Sequence, residues 1–203
     1  KRVVCMSTSH IAMLDALGLV DRVVAVSGKR FVTNPAIVNN PKVRDIGYDT
    51  NLNYEALVAL KPDVVFLYSV APGDTDAITA KLRELGIAYI HLGDYTEQSP
   101  LGKAEWMVAV AEIMGCRERG VALFEDIVAR YEAVRSSVEI AEHRPRVMFN
   151  TPYEDVWYMP ADDSYMVRLV EDAGGEYIYK GGNTTGGSRG ISLERALLLV
   201  TDA

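Results

Sequence analysis

Cationic residues are in short supply: 21 Lys and Arg stand against 28 Asp and Glu, leaving a formal charge of −7. That excludes a surface built to neutralise a nucleic-acid backbone, so no nucleic-acid partner is expected. No apolar run approaches the roughly 20 residues that cross a bilayer as a helix. The only cysteines, Cys5 and Cys116, form no metal-site spacing and read as buried free thiols, with a disulfide between them the lesser alternative. Histidine is equally sparse: His10, His91 and His143 lie too far apart for a ligand set, and His143 is expected at the surface beside Arg144. His10 and Tyr48 could each reach an iron atom in principle, but no direct transition-metal site and no resident cofactor is expected.

Catalytic signatures are missing too. The glycine-rich stretch from Gly182 to Arg189 reads G-x-x-x-x-G-S-R, without the lysine that reaches phosphates in a Walker A loop. The first turn, Met6-Ser7-Thr8-Ser9-His10, has none of the glycines that let a pyrophosphate approach the backbone. There is no H-E-x-x-H, and the G-x-S-x-G string Gly186-Gly187-Ser188-Arg189-Gly190 falls inside the glycine-rich stretch, with no predicted strand leading into it to make a nucleophile elbow. The carboxylate pairs Asp162-Asp163 and Glu154-Asp155 fall in polar loops. The chain is therefore expected not to be an enzyme. A nucleotide-binding α/β enzyme stays the alternative class, because its strand–helix alternation is the same, and a ligand-dependent sensor module is a third.

What is present is that alternation. Arg2–Met6 reads as a strand, Ser7–Ser9 as a polar capping turn, and His10–Leu17 as a helix stopped by Gly18. Val23–Val26 and Val43–Ile46 are predicted strands. Asn53 caps a helix over Tyr54–Leu60, and Val64–Leu67 is a continuous apolar run of the kind found in a strand covered on both faces. A helix over Asp74–Leu85, a strand over Ile87–Leu92 and a helix over Leu101–Met114 follow. Alternation of this kind implies a parallel sheet with helices on both faces. Ligands then bind beyond the carboxyl ends of the strands. The loops there carry Phe31, Tyr48, Tyr68 and Tyr95 with Ser7, Ser9, His10, Lys29 and Arg30, a set suited to a flat or bulky organic ligand with some negative charge.

From Arg117 to Ala141 the pattern changes to one helix of about 25 residues, nearly 40 Å long. Val121, Phe124, Val128, Tyr131, Val134 and Val138 recur at spacings of three and four, predicting one buried stripe, and Asp126 precedes Arg130 by one turn. The helix reads as a strut between two α/β lobes, giving an N-terminal lobe over 1–116, a backbone helix over 117–143 and a C-terminal lobe over 144–203. In the last of these, Arg146–Phe149, Val156–Tyr158 and Tyr177–Tyr179 are predicted strands, Ser164–Ala173 a helix and Gly181–Gly190 a loop. Ser192 caps a final helix, and here the chain echoes itself. Asn53, Glu55, Leu60 and Asp63 correspond to Ser192, Glu194, Leu199 and Asp202 at a constant offset. A buried strand follows the first copy, so the C-terminal lobe is expected to be incomplete, just as any export signal is expected to have preceded Lys1.

Five stretches carry a resemblance to a known family: VVCMSTSHIAMLDALGLVDRVVAVSG, NLNYEALVALKPDVVFL, LGKAEWMVAVAEIMGC, RPRVMF and ISLERALLLV. In order and spacing the chain resembles the substrate-binding proteins of ABC importers for iron complexes and cobalamin. The resemblance implies two Rossmann-like lobes with parallel sheets bridged by one long helix, and a ligand held between them. It also implies a periplasmic or lipid-anchored location and an inner-membrane permease as partner. Glu55 and Glu194 match the glutamates that pair with permease arginines; a carboxylate in a first helical turn is also favoured by the helix dipole with no partner at all. Tyr48 matches a ligand-facing aromatic, and Tyr153, Trp157 and Tyr158 occupy the corresponding part of the second lobe. Lys29, Arg30 and Arg189 favour a ferric siderophore or haem, with cobalamin the alternative cargo.

Overall fold

The structure is a computed structural model describing residues 1–48, 51–68, 73, 75–138, 143–181 and 187–201. The chain divides into two compact units, Lys1–Gly93 with Trp106–Val121 and Asp94–Glu105 with Ala122–Ala203.

In the first unit the strands are β1 (Val3–Cys5), β2 (Val23–Val26), β3 (Arg44–Asp45), β4 (Val64–Leu67) and β5 (Tyr89–His91). The helices among them are α1 (Thr8–Ala16), α2 (Pro35–Val38), α3 (Tyr54–Leu60) and α4 (Asp76–Glu84). The strands form one sheet in the order β3-β2-β1-β4-β5, and every neighbouring pair is parallel. β1 and β4 are buried at every position, which is why both read as unbroken apolar runs. On one face Val4, Val65 and Leu67 pack with Leu57 of α3 and with Ile78 and Leu82 of α4. On the other, the His10 ring of α1 meets the edge of Phe66. α2 escapes the periodicity because it is one turn long, yet its start is encoded: the Asn34 side chain accepts from the Ala36 amide and Pro35 supplies the first helical residue.

α5 (Pro100–Met114) and α6 (Arg117–Val138) follow. α6 is a single helix of 22 described residues, and Arg130 bonds Asp126 at 2.9 Å as the spacing predicts. Its stripe is only half covered: Val121, Phe124, Val128, Tyr131 and Val138 are partly buried, and Val134 is 56% exposed. The expected last turn, residues 139–141, lies outside the described residues.

The second unit holds β6 (Arg146–Val147), β7 (Val156–Pro160), α7 (Tyr165–Asp172), β8 (Glu176–Tyr177), β9 (Ser188–Ser192) and α8 (Leu193–Thr201). β6 and β8 are parallel. β7 and β9 pair antiparallel from Val156↔Ser192 to Pro160↔Ser188, a departure from a wholly parallel second sheet. β9 also corrects the reading of Gly181–Gly190 as loop throughout, since Ser188–Gly190 is strand. Small residues carry no strand signature of their own, so pairing with β7 decides their conformation. Gly190 fits there because a Cβ would lie 2.8 Å from the Val156 side chain. Met159, Val167, Tyr177 and Tyr179 form the core, where the Tyr177 hydroxyl donates to the Pro160 carbonyl at 2.9 Å.

Candidate functional site

From β1 the chain adds strands on one side, β2 then β3, and afterwards on the other, β4 then β5. The order reverses at β1 and β4, and crevices for ligands open beyond the carboxyl ends of strands in such sheets. Beyond β1, Ser7 caps α1: its Oγ accepts from the Ser9 amide at 3.3 Å and lies 3.0 Å from Ser9 Oγ. His10 is fully buried, so of the three loop residues expected here only Ser7 and Ser9 keep surface. Tyr68, beyond β4, packs partly against the core.

A denser arrangement lies beyond β2 and β3. The Phe31 and Tyr48 rings sit 5.0 Å apart, tilted by 54°, and they are 50% and 44% exposed. The Arg30 guanidinium lies 4.6 Å from the Phe31 centroid and 6.0 Å from that of Tyr48. A cation over ring faces is held by about 0.5 to 1 kcal/mol at an exposed site. The backbone beneath is tied by one carboxylate: Asp45 Oδ1 accepts from the amides of Gly28 (3.1 Å) and Gly47 (3.0 Å), and Oδ2 from that of Lys29 (2.9 Å). Gly28 has φ +67, and a Cβ on it would lie 2.9 Å from Phe31 and 3.0 Å from Tyr48, so glycine lets both rings close over the turn. The Lys29 ammonium is occupied elsewhere, donating to the carbonyls of Asn40 (2.9 Å) and Val43 (3.1 Å).

In the second unit the expected residues separate. Tyr153 is 68% exposed at the start of a tight turn in which it and Val156 exchange both backbone hydrogen bonds, at 2.9 and 3.1 Å. Tyr158 is 43% exposed. Trp157, its neighbour in β7, packs against the core instead and donates its indole N–H to the Phe149 carbonyl at 2.7 Å, since successive strand residues face opposite ways. Arg189 lies in β9 and donates to the Gly181 carbonyl at 2.6 Å. Tyr95 is 39% exposed in a short turn, Asp94–Thr96. The Lys103 ammonium braces that turn, donating to the Asp94 carbonyl at 3.0 Å and lying 3.8 Å from its buried carboxylate.

The two glutamates occupy equivalent local positions. Glu55 follows Asn53, whose Oδ1 accepts from the Ala56 amide at 2.9 Å; Glu194 follows Ser192, whose Oγ accepts from the Arg195 amide at 3.2 Å. Both carboxylates are exposed in the first turn of their helix. Glu194 is held below the usual glutamate pKa, first by its own backbone N–H and second by the Ser192 hydroxyl. Among the described residues no three His, Cys, Asp or Glu side chains are grouped to hold a metal ion, and no helix is long and apolar enough to cross a membrane. Sequence reasoning missed Asp45, although Asp45-Ile46-Gly47 carries the signal of an Asx turn, an aspartate two residues before a glycine amide.

The model of the periplasmic binding protein family matches residues 3–198. An uncharacterized lipoprotein of Methanocaldococcus jannaschii is 29% identical over 201 residues, 93% of this chain and 47% of that protein. The uncharacterized ABC transporter substrate-binding lipoprotein YvrC of Bacillus subtilis is 34% identical over 174 residues, 84% of this chain and 52% of that protein. The chain thus spans about half the length of these curated relatives. Two solved folds are also similar. The periplasmic haem-binding protein HutB of Vibrio cholerae has a TM-score of 0.77 and 19% identity, over 98% of this chain and 72% of that one. The periplasmic vitamin B12 binding protein BtuF of Vibrio cholerae has 0.71 and 19%, over 98% and 72%. A five-stranded parallel sheet with its order reversing at β1 and β4, a long helix, and a family match over nearly every residue agree: the chain belongs to the periplasmic binding protein family.

Proposed function

We propose that this chain is the ligand-capturing part of an ABC importer, and that its cargo is an anionic iron chelate, haem or a ferric siderophore, passed to an inner-membrane permease. The observation that supports this cargo is Arg30 poised over Phe31 and Tyr48 beyond β2 and β3. Exposed rings suit a flat or bulky organic ligand, and a guanidinium beside them suits a carboxylate or another anionic group on its rim. HutB, a haem-binding protein by name, shares the fold. In the second unit Tyr95, Tyr153 and Tyr158 are exposed aromatics a ligand could meet. The role is binding and delivery rather than catalysis. The lipoprotein relatives support a periplasmic or membrane-anchored place for the whole protein.

The test is a titration of the full-length protein with haemin, several ferric siderophores and cobalamin. One anionic chelate is expected to bind, with Arg30→Ala weakening it about tenfold, the loss of one charge-assisted contact. Cobalamin binding that ignores Arg30 would transfer the assignment to the vitamin. Tight binding of NAD or ATP, with none of the chelates bound, would end the transport reading.

Glu55 and Glu194 are the proposed permease contacts, supported by their matching caps and exposure. The long helix over 117–143 is the proposed link between the lobes 1–116 and 144–203.

A further inference from the structure

We propose that Asp45 is the positioning residue of the Arg30–Phe31–Tyr48 cluster: its carboxylate joins the loops after β2 and β3 and so sets the spacing of the rings that a ligand meets. This inference rests on the reading of that cluster as ligand-binding.

Phe31 and Tyr48 belong to loops 17 positions apart, and two parallel strand ends do not by themselves fix how far apart such loops stand. The direct backbone tie described between the turns is Gly28 N–H to Gly47 carbonyl, 2.9 Å. Asp45 adds bonds to both sides at once. Oδ1 is shared by Gly28, the glycine under both rings, and Gly47, the residue before Tyr48, and Oδ2 takes the amide of Lys29, the residue before Arg30. An ionised carboxylate can accept all three N–H groups. The two oxygens have different duties: Oδ1 holds the Gly47 turn that presents Tyr48, and Oδ2 holds the start of the short turn Lys29–Phe31 that presents Arg30 and Phe31. The Gly28 amide retains the Gly47 carbonyl without Asp45, whereas the Lys29 and Gly47 amides depend on the carboxylate.

This asymmetry makes the two obvious substitutions unequal. Asp45→Ala removes both acceptors. Asp45→Asn keeps one oxygen, which satisfies more donors in the Oδ1 place and puts an amide NH2 against the Lys29 N–H.

The experiment uses the full chain, with amide exchange and Tyr48 ring-proton shifts followed by NMR and haemin as the titrated probe. In Asp45→Ala, the Lys29 and Gly47 amides should lose protection, the ring-current shift that Phe31 imposes on Tyr48 should collapse, and haemin should bind about tenfold more weakly. In Asp45→Asn, Gly47 should stay protected while Lys29 does not, with the ring shift and haemin affinity in between. A merely structural aspartate would instead lower thermal stability and affinity together with the ring shift intact, which would overturn the inference, as would an Asn variant indistinguishable from Ala. Should the Ala variant fail to fold, the Asn variant alone carries the same amide-by-amide prediction. Haemin affinity that ignores Tyr48→Ala, alongside the predicted amide and ring changes, would remove the ligand reading and leave Asp45 as the residue that positions the pair.

Discussion

Glu194 shows how one backbone position sets a charge. Its own N–H and the Ser192 hydroxyl stabilise the carboxylate, so its folded pKa lies below that of the unfolded chain. A carboxylate shifted this way contributes stability that is present above the unfolded value and is lost as pH falls through the folded one. An NMR titration should place its midpoint below the ordinary glutamate value, and Ser192→Ala should raise it only part of the way, because the larger backbone contribution remains. No movement in that variant would remove the hydroxyl from the account. At Gly47 the backbone has φ +90 and a Cβ would run into the Asn51 carbonyl. Gly47→Ala should therefore cost at least about 1 to 2 kcal/mol in urea unfolding. A local Asx signal in Asp45-Ile46-Gly47 was available, although it was missed. The bond from Asp45 to Lys29 was not, since it spans 16 positions and exists only because β2 and β3 are neighbours.

At the level of elements, α5 and α6 meet at Gly120, where a Cβ would clash with that of Ala111 and lie 3.3 Å from the Val108 backbone. Gly120→Val should force the helices apart and destabilise by about 1 to 3 kcal/mol, read by thermal unfolding. In the second unit α6 and α7 are pinned by the Tyr131 hydroxyl donating to Asp172 at 2.7 Å. Burial first, and the Asp172 bond second, raise this phenol above the ordinary tyrosine value. Its contribution is then fully present below about pH 10, the unfolded tyrosine value, and lost as pH rises through the folded one. Tyr131→Phe should cost about 1 kcal/mol and reduce the late step of an alkaline absorbance titration without removing it, because burial also raises the Tyr177 phenol. Helices with capping residues and period, such as α3, α5 and α7, were legible, as were β1 and β4 with their unbroken apolar runs. α2 was too short to show a period. β9 was hidden by glycine and serine, whose conformation is imposed by the partner strand.

For the whole molecule the internal echo gives the sharpest functional prediction. If the proposed docking role holds, Glu55→Lys and Glu194→Lys together should abolish uptake in cells carrying the matching permease while chelate affinity in solution stays within about twofold, since like charge facing the proposed permease arginines repels but the ligand cluster is untouched. Affinity lost in parallel would place these glutamates in the binding site instead. Trp157 modifies how the titration is read. Its indole packs, partly buried, against the second unit's core and donates to the Phe149 carbonyl, so its fluorescence should follow the folding of that unit more closely than ligand occupancy, and absorbance of the chelate is the better signal.

The sequence by itself determined the α/β class, the long helix, the capped repeat around Glu55 and Glu194, and the roster of aromatic and basic loop residues, because caps, periods and apolar runs are local properties of a chain. Only the tertiary structure decided which of that roster act together. It buries His10, sends the Lys29 ammonium to two carbonyls, packs Trp157 against a core and leaves Arg30, Phe31 and Tyr48 as one exposed cluster on the Asp45 carboxylate. Strand order brings distant loops side by side, and side-chain direction selects between neighbours in a strand. Neither is written in the spacing of residues along the chain.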